Sequence, residues 1–256
     1  MKNIIKYFVI VIALFQLQTT AQTNTLTQYS TIDALLKSNY DSQFTLKQLK
    51  LYGDFGIGTF NGVDGEMVVF EGVVYQVKAD CSVNIMPDTI KTPFMTVTKF
   101  KSEIKRNLNI PLNYEKCTKF VDSLLPSPNY FYAVKITGKF KMLTTRSVPK
   151  QNKPYKPLTE VVKMQSVFNL ENIEGTIVGF KCPFFANGVN VPGYHLHFLS
   201  KDKTSGGHIL DLMTEDVVVE IEKIAGFNMI LPEDGIFPNQ DFTKDNYEDL
   251  EKVEKK

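Results

Sequence analysis

Residues 193–208, GYHLHFLSKDKTSGGH from Gly193 to His208, decide how this chain is read. All three histidines of its 256 residues fall in this stretch, at His195, His197 and His208. Side chains on a strand alternate between faces, so His195 and His197 point one way while Leu196 and Phe198 point the other. Gly206-Gly207 suggests a turn, with Ile209-Leu210 continuing as the next strand. A hairpin register that opposes His197 to His208 brings all three imidazoles to one face. Cross-strand Cβ atoms in such a pair lie about 4.5–5.5 Å apart, which suits sharing one ion through bonds of about 2.0–2.1 Å. Three protein ligands plus an open position is the usual layout of a catalytic zinc site.

The N-terminus has its own signature. Lys2 and Lys6 precede the apolar run Tyr7–Phe15, and the small residues Thr19-Thr20-Ala21 follow. That run is too short to span a bilayer, and the pattern is that of a secretory signal peptide over residues 1–21, so export to the periplasm or the medium is expected. Zinc then leads among metals for a nitrogen-rich site, although manganese, iron or nickel accept the same ligands. Removing residues 1–21 leaves 27 Lys+Arg against 28 Asp+Glu, a net charge of −1. That balance gives no reason to expect nucleic acid or a membrane as partner. About 235 residues remain, enough for one large domain or two small ones.

Outward from the histidines, strands outnumber helices. Thr25–Ser38 reads as a short helix capped by Ser30 or Thr31, and Gln43–Tyr52 as a second helical turn. Glu66–Val77 holds two apolar runs around Glu71-Gly72, a hairpin signal. Pro93–Phe100 reads as a strand and Asn113–Leu125 as a helix stopped before Pro126. Tyr130–Lys139 and Phe140–Val148 read as successive strands. Gln151–Pro157 is the linker candidate, and Leu158–Val167 a short helix. Glu174–Phe185, Asn187–Leu199, Gly207–Met213 and Val217–Ile224 read as strands, while the last fifteen residues have few apolar anchors. With no long alternation of strand and helix, the pattern is α+β with mixed or antiparallel sheets.

Other residues carry weaker signals. Cys81, Cys117 and Cys182 are odd in number and sparsely spaced, and read as small buried residues rather than ligands. Two arginines stand against 27 lysines, which marks each as a candidate for bidentate pairing with a carboxylate. Arg106 sits in a charged run and reads as solvated; Arg146 sits in a polar strand. Glu66 stands at the start of an apolar strand, a position more often merely solvent-facing.

Longer motifs tie these residues together. Residues 53–66 (GDFGIGTFNGVDGE), 124–133 (LLPSPNYFYA), 144–148 (TTRSV), 174–180 (EGTIVGF), 193–198 (GYHLHF) and 205–208 (SGGH) resemble the alpha-acetolactate decarboxylase family in order and identity. The similarity runs from about residue 27 to 245. It implies two α/β domains built on mixed, largely antiparallel sheets, an N-terminal one over 25–157 and a C-terminal metal-binding one over 158–256, usually in a homodimer. It implies zinc on His195, His197 and His208, with Glu66 and Arg146 in the catalytic site. It also implies a tail glutamate returning to the metal; of Glu248, Glu251 and Glu254, Glu251 is the favoured assignment. The implied reaction is decarboxylation of (S)-2-acetolactate to (R)-acetoin and CO2. A Lewis-acidic metal serves as electron sink, Arg146 holds the carboxylate or stabilises departing charge, and Glu66 or the tail glutamate protonates the enediolate. A histidine pair of this spacing also serves zinc hydratases and hydrolases or a plain metal-binding protein. Those alternatives differ in forming no acetoin.

Overall fold

The computed structural model describes residues 24–254; the expected signal peptide lies outside the described residues. Strand β1 (Thr25–Tyr29) is followed by the short helices α1 (Ile32–Leu36) and α2 (Leu46–Leu49). Strands β2 (Phe55–Thr59), β3 (Glu66–Phe70), β4 (Val73–Val77), β5 (Val83–Ile85), β6 (Met95–Thr98) and β7 (Ile104–Leu108) lead to helix α3 (Tyr114–Leu124). Then come β8 (Phe131–Ser147), α4 (Leu158–Val161), β9 (Ser166–Cys182), β10 (Gly193–Ser200), β11 (Gly206–Ile224), β12 (Gly226–Ile230) and the terminal helix α5 (Tyr247–Glu254).

These strands make two sheets, and the fold is α+β. One has seven strands in the order β12-β1-β6-β2-β3-β4-β5, antiparallel except where β1 meets β12. The other has five in the order β10-β9-β8-β11-β7, and β10 also pairs with β11, so this sheet closes on itself. Its interior holds Phe140, Leu196, Phe198, Leu212 and Val219. Its outer face packs on the first sheet through Val178, Phe180 and Leu199 against Phe55, Ile57 and Val68. His195 and His197 share the outer face with Leu199, by the period of two along a strand. Glu66 shares the inward face of β3 with Val68. The histidines and Glu66 therefore meet where the two sheets meet.

Several expectations need correction. Thr25–Ser38 is not one helix: its first half is β1, which β12 recruits from some 200 residues away, and only the second half is α1, with Thr31 as N-cap accepting from the Ala34 N–H. Long-range pairing overrides a weak helical pattern. β8 and β11 each run unbroken through what reads as two strands, bending at bulges between Ile209 and Asp216 rather than stopping. The sheets also do not divide at Gln151–Pro157. β8 before that segment and β9 to β11 after it share one sheet, while β12 joins the other. The three cysteines are free; Cys117 and Cys182 are buried in the two cores.

Candidate metal and catalytic site

The hairpin register is the expected one: His197 pairs with His208 across β10 and β11, and His208 pairs with Arg146 across β11 and β8. The turn is not at the glycines. It lies in residues 201–204, where the Ser200 hydroxyl accepts from the Thr204 and Ser205 N–H groups, each at 3.0 Å. Gly206 and Gly207 are already in β11, at the seam where the sheet closes. A Cβ on Gly207 would sit 2.5 Å from the Arg146 carbonyl oxygen, on a backbone with φ +129°. Close approach and positive φ, not a tight turn, explain that glycine.

The three rings stand 5.1, 5.1 and 5.4 Å apart between centroids, and one nitrogen of each falls within 4.8 Å of the others. All are buried, His197 to 1% exposure. The Nδ1 of His197 lies 2.8 Å from the Met67 carbonyl oxygen, which can only accept. Nδ1 therefore carries the proton, and Nε2 presents a bare lone pair with no hydrogen-bond partner. Burial, then Arg146, drives the His195 imidazolium down to about 3. Burial first also holds His197 and His208 well below the usual value. Neutral imidazole is the metal-binding form. Three buried neutral imidazoles with a lone pair otherwise unsatisfied fit a divalent ion of the zinc type.

Carboxylates and the guanidinium complete the site. Arg146 donates from one NH to Glu66 Oε1 at 2.8 Å and from the other to the Val253 carbonyl oxygen at 3.3 Å. Its Nε–H, also buried, has no partner. The second oxygen of Glu66 lies 3.5 Å from His197 Nε2. Burial pushes Glu66 up to about 7, with Arg146 pulling it down and Glu254 raising it further.

The tail does return, but through a different glutamate. Glu254 Oε2 lies 3.6 Å from His195 Nε2 and 3.8 Å from His208 Nε2. Glu254 and Val253 line the cavity with Glu66, Arg146, His195 and His197, and Glu251 does not. Leu250, Val253 and Glu254 follow the i, i+3, i+4 spacing of one helix face, so the two buried apolar residues carry Glu254 inward and leave Glu251 a quarter-turn or more away. Burial pushes Glu254 up to about 7 against Arg146, and its Oε2 has no hydrogen-bond partner. Much of the remaining cavity wall is apolar: Ile32, Leu35, Phe94, Val148 and Leu158. Sequence reasoning did not mark this wall, because its residues come from four separate segments. Arg106 is exposed on β7, away from the site, as expected.

A family model described as alpha-acetolactate decarboxylase matches residues 26–244. An alpha-acetolactate decarboxylase of Methanosarcina mazei is 48% identical over 232 residues, covering 90% of this chain and 80% of that protein. One of Bacillus subtilis is 42% identical over 223 residues, covering 85% of this chain and 88% of that protein. The crystal structure of the Bacillus subtilis strain 168 alpha-acetolactate decarboxylase matches with a TM-score of 0.89 at 40% identity, covering 91% of this chain and all of that one.

Proposed function

The chain belongs to the alpha-acetolactate decarboxylase family and is a decarboxylase, and from that premise we propose that it converts (S)-2-acetolactate to (R)-acetoin and CO2 at the site of His195, His197 and His208, with zinc as their ion. The observation that carries this reading is a cluster of three neutral imidazoles, two of which line one cavity together with a guanidinium, two carboxyls and an apolar wall. Zinc on the three imidazoles would supply a Lewis acid for the ketone and hydroxyl oxygens of the substrate.

Acetolactate is a β-keto acid. Breaking its C1–C2 bond releases CO2 and sends the bonding pair toward the neighbouring ketone, leaving an enediolate. Arg146 is fixed by Glu66 and by the Val253 carbonyl, and its remaining buried N–H orients the substrate carboxylate for that cleavage. Glu66, 2.8 Å from Arg146, keeps the guanidinium aimed. Burial raises Glu66 and Glu254 alike, so geometry separates their roles: Glu254 has no ion pair of that quality and its Oε2 has no hydrogen-bond partner, which makes it the better placed proton donor to one face of the enediolate. The apolar wall receives the two methyl groups and excludes water, which strengthens each charge interaction within.

Purified chain lacking residues 1–21 should form acetoin from racemic acetolactate, lose that activity on chelation and regain it with zinc. A folded, zinc-loaded protein that forms no acetoin would overturn the assignment. The signal-peptide pattern supports export, which N-terminal sequencing of protein recovered outside the cytoplasm would test. The family resemblance supports a homodimer, which light scattering on the eluting protein would test.

A further inference from the structure

Helix α5 delivers Glu254 from the far end of the chain, and its apolar contacts are few. Leu250 and Val253 sit in a cluster with Ile32, Leu35, Leu158 and Val161. That pair settles which face of α5 turns inward. A one-residue slip would shift Glu254 by about 1.5 Å along the axis and turn it by roughly 100°. Directional polar contacts at the two ends of the helix sharpen its placement.

The first of these contacts lie at the start of the helix. Leu250 N–H bonds to the Asn246 carbonyl, which makes Asn246 the N-cap. An N-cap asparagine ordinarily turns its side-chain oxygen onto its own helix. Here the side-chain NH2 donates to Asp33 Oδ2 at 2.8 Å, across 213 residues of sequence, and to the nearby Lys244 carbonyl at 3.0 Å. Asp33 is buried, in the first turn of α1, the helix whose Ile32 and Leu35 form part of the apolar wall. Capping falls to Asp245, whose carboxylate accepts the Tyr247 N–H at 3.0 Å and the Asn187 side-chain NH2 at 3.2 Å. At the other end Arg146 binds the Val253 carbonyl.

We propose that Asn246 and Asp33 form a positioning latch that sharpens the placement of α5 and so the location of the Glu254 carboxyl; this rests on the role given to Glu254 above. The latch touches no substrate. It acts by joining the helix that forms the apolar wall to the helix that carries the proton donor.

A swap tests it. N246D sets two carboxylates against each other and should lower kcat about tenfold, the equilibrium value of one partly buried charge-assisted hydrogen bond. Bound zinc, melting temperature and KM should change little. D33N/N246D restores one donor and one acceptor with the polarity reversed, and should recover most of the loss. In an E254Q background N246D should cost nothing further. Should N246D fail to fold, N246A is read in the same two backgrounds. Equal losses with and without Glu254, no recovery in the swap, or an unchanged kcat in N246D would each overturn the latch. A fully active E254Q would instead overturn the role of Glu254, and the latch with it.

Discussion

His197 and His208 face each other across paired strands, whereas Glu254 reaches them from an eight-residue helix at the end of the chain. β10 is hydrogen-bonded along its whole length to β9, and β11 pairs with β8 from His208 to Ile224 through its bulges, so both ligand strands lie inside a closed sheet. The tail helix has two fully buried apolar residues and a few polar tethers. The difference divides the labour of the site. On the proposed roles, the imidazoles that would hold the ion are built into the sheet, and the carboxyl that would deliver the proton is docked onto it by an element with few anchors of its own.

Three experiments test that contrast. His197→Ala removes a ligand from the rigid half; zinc and activity should be lost together, by about a thousandfold or more if the ion supplies several kcal/mol of charge stabilisation. Zinc retained at full stoichiometry in His197→Ala would break the assignment. Leu250→Ala strikes the docked half. A buried leucine truncated to alanine costs about 2–5 kcal/mol, but here the cost should fall on the tail. Hydrogen exchange should speed up across residues 247–254 while β10 and β11 stay protected. Equal loosening of both regions would show one cooperative unit and dissolve the comparison.

The smallest effect is in pH. Glu254 is raised by burial from 4.5 to about 7 in the folded protein. A carboxyl with a higher folded than unfolded pKa binds its proton more tightly when folded. Its favourable contribution is therefore present at low pH and is lost as pH rises from about 4.5 through about 7. In metal-free protein the melting temperature of E254Q relative to the parent should rise across that window and level off above it. A difference that stays flat from pH 4 to 8 would mean that Glu254 titrates as if exposed.

Much of the site could be read before the structure. The alternation around His195 and His197 fixed their shared face, and the chemistry of imidazole made one hairpin register more sensible than the rest. The helix starting near Asn113, the cap at Ser30 or Thr31 and the Glu71-Gly72 turn were legible for the same reason, since each is a local device whose partners lie within a few residues. The tail glutamate was misread for lack of a tertiary frame. The i, i+3 pair Leu250 and Val253 is a signal that could have chosen Glu254, but two apolar residues in a charged stretch are a weak one. β1 and β12 were missed because their partners are distant: β1 lies between β6 and β12, and β12 pairs with β1 from nearly the whole chain away.

The sequence by itself determined the strand-rich class, the facing of the histidines and their fitness to hold a metal ion, because side-chain alternation and ligand chemistry act over a few residues. Only the tertiary structure decided that Glu66, Arg146 and Glu254 meet those histidines, that burial raises both carboxyls, and that the five-stranded sheet closes on itself. Those outcomes depend on contacts between segments far apart in the chain, whose entropic cost of closure is repaid only when both sheets pack together.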